Sequence, residues 1–73
     1  MTNVQIDRIG KIVAGAERGR YVRVTDDTES TGGFLILTAD DLEFQNGHDN
    51  WVKDETSLQR FFQESGWLVE WVK

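Results

Sequence analysis

The sequence predicts an α+β fold in the order β-β-β-α-β: an antiparallel sheet of four to five strands with one helix packed on one face. Three stretches lead to that reading. Leu58, Phe61 and Phe62 recur at i, i+3, i+4, the spacing of one apolar helix face. Trp67, Val69 and Trp71 alternate with Leu68, Glu70 and Val72, the period of a strand. Residues 34–38, FLILT, form a short continuous apolar run, which suits a strand that is central or covered on both faces.

Taken in order, residues 3–14 read as a first strand. Val4 and Ile6 alternate with Gln5 and Asp7, Ile9, Ile12 and Val13 follow, and Gly10 suggests a bulge. The alternative is a helix over the first 14 residues, which Gly10 disfavours. Gly15 to Gly19 supply turn chemistry, and Tyr21 to Thr25 form the second strand of a hairpin. Residues 26–33 form a loop with three carboxylates and two terminal glycines, leading to the strand at 34–38. Residues 39–50 read as a long polar connection, pinned by Leu42 and Phe44 and turned at Asn46-Gly47.

The segment from Trp51 to Trp71 holds all three tryptophans and two of the four phenylalanines. Asp54 is placed to cap the helix, because its carboxylate can accept backbone N–H groups that have no partner inside the helix. Glu55 then sits at the positive end of the helix dipole. Gly66 is suited to the left-handed position just past the helix end, so Ser65-Gly66 marks the stop. The strand at 67–72 carries apolar residues on both faces, which places it inside the sheet. The aromatic residues read as core rather than as a ligand pocket, with Phe61 and Trp71 expected to be buried in it.

Seventy-three residues make one domain, residues 1–73. A chain of this size buries only about 60% of its unfolded surface. It has no cysteine, so neither a disulfide nor a thiolate is available. No apolar run approaches the roughly 18 residues of a transmembrane helix. The first residues lack the basic-then-apolar form of a signal peptide, so a cytoplasmic location is expected.

Charge is unevenly placed. Residues 1–24 carry five basic and two acidic side chains, residues 25–55 one and nine, and residues 56–73 two and two. The net −5 thus arises from a net −8 in the middle. Direct binding to nucleic acid, which needs a basic face, is disfavoured. A basic protein partner is compatible. Its contacts are expected among Asp26, Asp27, Glu29, Asp40, Asp41, Glu43 and Asp49, with Gln59, Arg60 and Gln63 on the exposed helix side as an alternative surface. The bland alternative is an acidic coat that keeps a small domain soluble.

Catalytic and metal motifs were sought with little return. His48 is the only histidine and lies in a Gly-His-Asp-Asn stretch, where an exposed polar residue is the ordinary reading. The pairs Asp26-Asp27 and Asp40-Asp41 lack the alternating ligand spacing of a calcium loop. Gly32-Gly33 is followed neither by Lys-Ser/Thr nor by a helix, so it is no phosphate loop. No enzyme activity, cofactor or metal is expected.

Three phrases carry a resemblance: residues 31–37 (TGGFLIL), residues 50–52 (NWV) and residues 64–71 (ESGWLVEW). In them the chain resembles the small single-domain bacterial immunity proteins of contact-dependent inhibition and polymorphic-toxin systems. The resemblance implies an inhibitor that neutralises a toxin domain by direct binding, and it transfers no functional residue. The same features suit a phage-encoded inhibitor of a bacterial defence complex, such as an anti-CRISPR protein. A non-inhibitory structural or regulatory interaction module is the further alternative.

Overall fold

The computed structural model describes residues 4–44 and 47–71. Its elements are β1 (Ile9–Ala14), β2 (Tyr21–Asp27), β3 (Gly33–Ala39), β4 (Gly47–Val52), α1 (Glu55–Ser65) and β5 (Leu68–Trp71). The five strands form one antiparallel sheet in the order β4-β3-β2-β1-β5. The first four strands are a meander, and α1 then carries the chain from the β4 edge to the opposite edge. β4 stops beside Phe34 at one end of the sheet and β5 begins beside Ala14 at the other, so the helix between them crosses one face obliquely.

The α+β architecture with one helix on the sheet is as the sequence predicts, and several of its details differ. The polar connection expected at 39–50 contains β4, paired in unbroken register from Phe34↔Val52 to Ala39↔Gly47. This strand arises because β3 offers a full ladder of backbone partners, which a polar segment can occupy as well as an apolar one. The last strand lies at a sheet edge, not inside. Its two apolar faces have different causes: Val69 and Trp71 pack against the core, whereas Leu68 is 63% exposed. Leu42, expected to pin the connection, is 56% exposed, and half-buried Phe44 alone of the pair does so.

The first strand begins at Ile9, not Asn3. Before it, Asp7 has φ 60° and donates its N–H to the Val24 carbonyl at 2.7 Å, while Val4 packs against the core. The register irregularity lies between Ile12 and Ala14, not at Gly10. Gly10 has a different task. It pairs with Trp71, and a Cβ there would lie 2.4 Å from Val69 Cγ1 and 2.8 Å from Trp71 Cε3. Only glycine leaves room for the indole to lie against β1. The expected strand residues Asn3 and Val72, and the Asn46 half of the expected turn, lie outside the described residues.

The helix follows its sequence signals closely. Asp54 is the N-cap and accepts the Ser57 N–H at 2.7 Å. Gly66 closes the helix at φ 72°, with its N–H on the Gln63 carbonyl. Leu58 and Phe62 are 1% exposed and meet Ile12, Val22, Val24, Phe34 and Ile36 of the sheet. Phe61 and Trp71 are half-buried rather than buried; the fully buried aromatic is Phe62. Its ring contacts Trp67 edge-on at 5.5 Å, Phe61 at 6.1 Å and Trp71 at 6.1 Å, the spacing at which aromatic pairs attract.

Phe62→Ala should therefore cost about 3–5 kcal/mol, the usual range for a buried phenylalanine, and leave little folded protein. A urea midpoint close to wild type would refute this assignment of the core. The cap makes a second prediction. Hydrogen bonds from the backbone and side chain of Ser57 hold the Asp54 carboxyl below the usual aspartate range. The unfolded chain thus takes up this proton at higher pH than the folded one. The cap contributes fully above the ordinary aspartate pKa and fades as pH falls through the lowered folded value. Asp54→Ala should lower Tm at neutral pH and flatten this acid-dependent loss, whereas Asp54→Asn should retain most of the Tm, since asparagine also caps.

Candidate functional site

The helix covers one face of the sheet, and the registers define the other. One row across that open face runs Ile9, Arg23, Leu37, Asp49, and the next runs Thr25, Leu35, Trp51. A third row joins Glu70, Lys11, Tyr21 and Ala39. Ile9, Tyr21, Leu35 and Leu37 are half-buried there, while Arg23 and Asp49 are exposed.

Trp51 stands out on this face. It is 50% exposed, yet held in one orientation. Its indole Nε1–H donates to Thr31 Oγ1 at 2.9 Å, bridging β4 to the β2–β3 loop. The six-membered ring lies over Gly33, where a Cβ would come within 2.6 Å of Trp51 Cε2. Gly33 thus serves as the seat of the indole, and Leu35 is its cross-strand neighbour. The loop that supplies Thr31 is itself built tightly. The Asp27 carbonyl accepts from the N–H groups of Ser30 and Thr31 and from Thr31 Oγ1, and Gly32 turns back at φ 84°.

The seven acidic residues singled out from the sequence divide into separate groups. Asp26, Asp27 and Glu29 lie at the β2–β3 loop, at the same sheet end as the helix start. Asp40, Asp41 and Glu43 follow β3 at the opposite end, and β3 spans about 20 Å between them. Asp49 stands between the two ends on the open face of β4. At the first end Asp54 and Glu55 add to the three carboxylates, with Lys53 as the one cation among residues 26–32 and 53–55. At the other end Arg20 places Nη1 3.3 Å from Glu17 Oε1. Its Nε is also 3.3 Å from Asp40 Oδ1, close enough for an ion pair but misaligned for a hydrogen bond. Arg20 thus offsets part of the charge at that end, as Lys53 and Arg60 offset part of it beside Asp54 at the other.

Asp26 is drawn into the same loop. It accepts from Thr28 Oγ1 at 2.7 Å and from the Thr28 N–H at 3.0 Å, and these bonds hold its carboxyl below the usual range. Asp27 pairs with Gly33 and so shares the open face with Trp51, whereas Asp26, opposite Phe34, belongs to the helix side. His48 is exposed and opposite Thr38. Among the described residues no three of His, Asp and Glu gather in a way that could hold a metal ion.

Trp51 is the residue that sequence reasoning missed, having counted every tryptophan as core. A signal was present: it is the one large apolar residue in the otherwise polar run 45–51, QNGHDNW. No family model matches the chain, and comparisons with curated proteins and with solved structures found no match either.

Thr31→Val removes the acceptor of the indole hydrogen bond while keeping the side chain's shape. The expected result is a folded protein, destabilised by about 1 kcal/mol or less, whose Trp51 indole N–H resonance moves and exchanges faster with solvent. An unchanged indole signal would show that Thr31 does not hold the ring.

Proposed function

We propose that the chain is an inhibitory protein-binding module of the immunity type, which neutralises a toxin domain by covering a basic surface on it. The observation that carries this reading is Trp51: half in water, seated on Gly33 and hydrogen-bonded to Thr31, beside the carboxylates of the β2–β3 loop. An aromatic anchor held in place before binding loses little rotamer freedom on association. Trp51, Tyr21 and Arg23 together bring to one face the three residue types most enriched among interface hot spots.

Magnitudes divide the work between anchor and charge. Covering the exposed half of a tryptophan removes about 125 Å² from water, worth about 3 kcal/mol at 25 cal/mol per Å². An exposed ion pair contributes about 0–1 kcal/mol. Trp51 therefore supplies affinity, while Asp27, Asp49 and the loop carboxylates supply steering and selection for a basic partner. Relative to the seven acidic residues expected from sequence, this reading gives weight to the β2–β3 end and to Asp49, and less to Asp40, which Arg20 already engages.

The test is co-expression with the toxin domain encoded beside this gene. Growth should be restored by the wild-type chain. Trp51→Ala should weaken the purified complex about 30-fold or more, as loss of a hot-spot residue does, measured where the variant, whose urea midpoint falls through loss of the ring's buried half, is still folded. Asp27→Lys with Asp49→Lys should slow association and reduce its salt dependence. A toxin that is neither bound nor neutralised would overturn the reading, and prophage genes in place of a toxin gene would move it to a phage-encoded inhibitor.

A further inference from the structure

Besides its open face, the sheet has two open edges, and they differ. Among the described residues β5 spans four, and its pairing with β1 is irregular at Val13. Irregular pairing is a device by which natural sheets discourage a further strand. β4 is six residues long, pairs with β3 without a break, and contains neither proline nor lysine. Alternate residues of an antiparallel edge strand turn their N–H and C=O groups away from the sheet, and no strand accepts those of β4 among the described residues. Residues 47–51 are exposed on both sides of the strand.

We propose that β4 receives an extended, lysine- or arginine-bearing segment of the partner as a sixth strand of the sheet. This rests on the reading of the chain as a binder of a basic protein, and it specifies the contact. The occupant is selected by charge. The one charged residue of β4 is Asp49; Lys53 follows the strand directly, and carboxylates stand beyond it at both ends of the sheet. A strand laid along β4 spans about 20 Å, the distance between the two acidic ends that no compact basic patch would bridge as readily. A second copy of this chain is disfavoured as occupant, because it would bring another net −5 and a second Asp49 to the same ribbon. Asp49 and Trp51 are two residues apart and share the open face. The incoming strand should therefore carry a cation and an aliphatic residue two positions apart, one beside Asp49 and the other beside Trp51.

The probe is a nine-residue synthetic peptide with lysine and valine alternating on one face and threonine between them. Controls carry glutamate for lysine, or proline at the centre. Amide exchange of the full chain is followed by NMR. The lysine peptide should slow exchange at alternate amides of residues 47–52 about tenfold and shift the Trp51 indole N–H. The proline and glutamate peptides should do neither, and Asp49→Lys should abolish the response to the lysine peptide. The strand-docking proposal is overturned if β4 shows no protection, if the glutamate peptide acts equally, or if protection rises with protein concentration in the absence of peptide, which would mark self-pairing. Lysine-peptide shifts confined to residues 26–32 or 40–44, or a neutralised toxin that leaves β4 exchange unchanged, would also overturn it while leaving the basic-partner reading intact. A protein that binds and neutralises no toxin at all would instead remove that reading itself.

Discussion

One eleven-residue helix has to serve a five-stranded sheet, and the rest of the structure depends on that shortage. The helix can cover one face only. The hydrophobic core lies beneath it: Ile12, Val22, Val24, Phe34 and Ile36 from the strands meet Leu58 and Phe62 from the helix. The aromatic residues after the helix extend this cover, with Trp67 against Phe61 and Phe62, and Trp71 in the space that Gly10 leaves. A small domain has few such contacts to spare, so a single ring such as Phe62 carries a large share of its stability.

The uncovered face is the counterpart of the same shortage. Its aliphatic residues Ile9, Leu35 and Leu37 are half-buried, with no helix over them. Trp51 belongs to this layer and yet is restrained, by a glycine beneath it and a threonine hydroxyl beside it. Trp51 is thus a large apolar side chain at once half exposed and restrained.

Charge is arranged around this layer by topology rather than by chain position. The acidic middle of the sequence looks like one block, but β3 divides it, sending one group to each end of the sheet. Arg20, from the basic first third of the chain, then comes back to Asp40 through the β1–β2 loop. The block of net −8 becomes two separate groups of carboxylates, one at each end of the sheet. Screening acts within about 8 Å at physiological salt, so the two ends act on a partner separately unless that partner is extended.

What the sequence determined by itself was local. The Asp54 cap, the Leu58/Phe62 face and the Gly66 stop depend on residues within four positions of one another, and each stands where the sequence places it. The fold class, the first hairpin and the β3 strand were legible for the same reason: period and turn chemistry are properties of a short window. The tertiary structure alone decided the rest. β4 is a strand because the backbone of β3 pairs with it, and a polar run such as Gly47–Asn50 carries no pattern of its own that says so. Period two in the last strand shows that two faces exist, not which neighbours it has, so its edge position was invisible. Gly10 read as a bulge because the ring that occupies its missing Cβ lies sixty-one positions further along the chain, at Trp71. Trp51 likewise owes its exposed setting to Gly33 and Thr31, eighteen and twenty positions before it, contacts that exist only once β3 and β4 lie side by side.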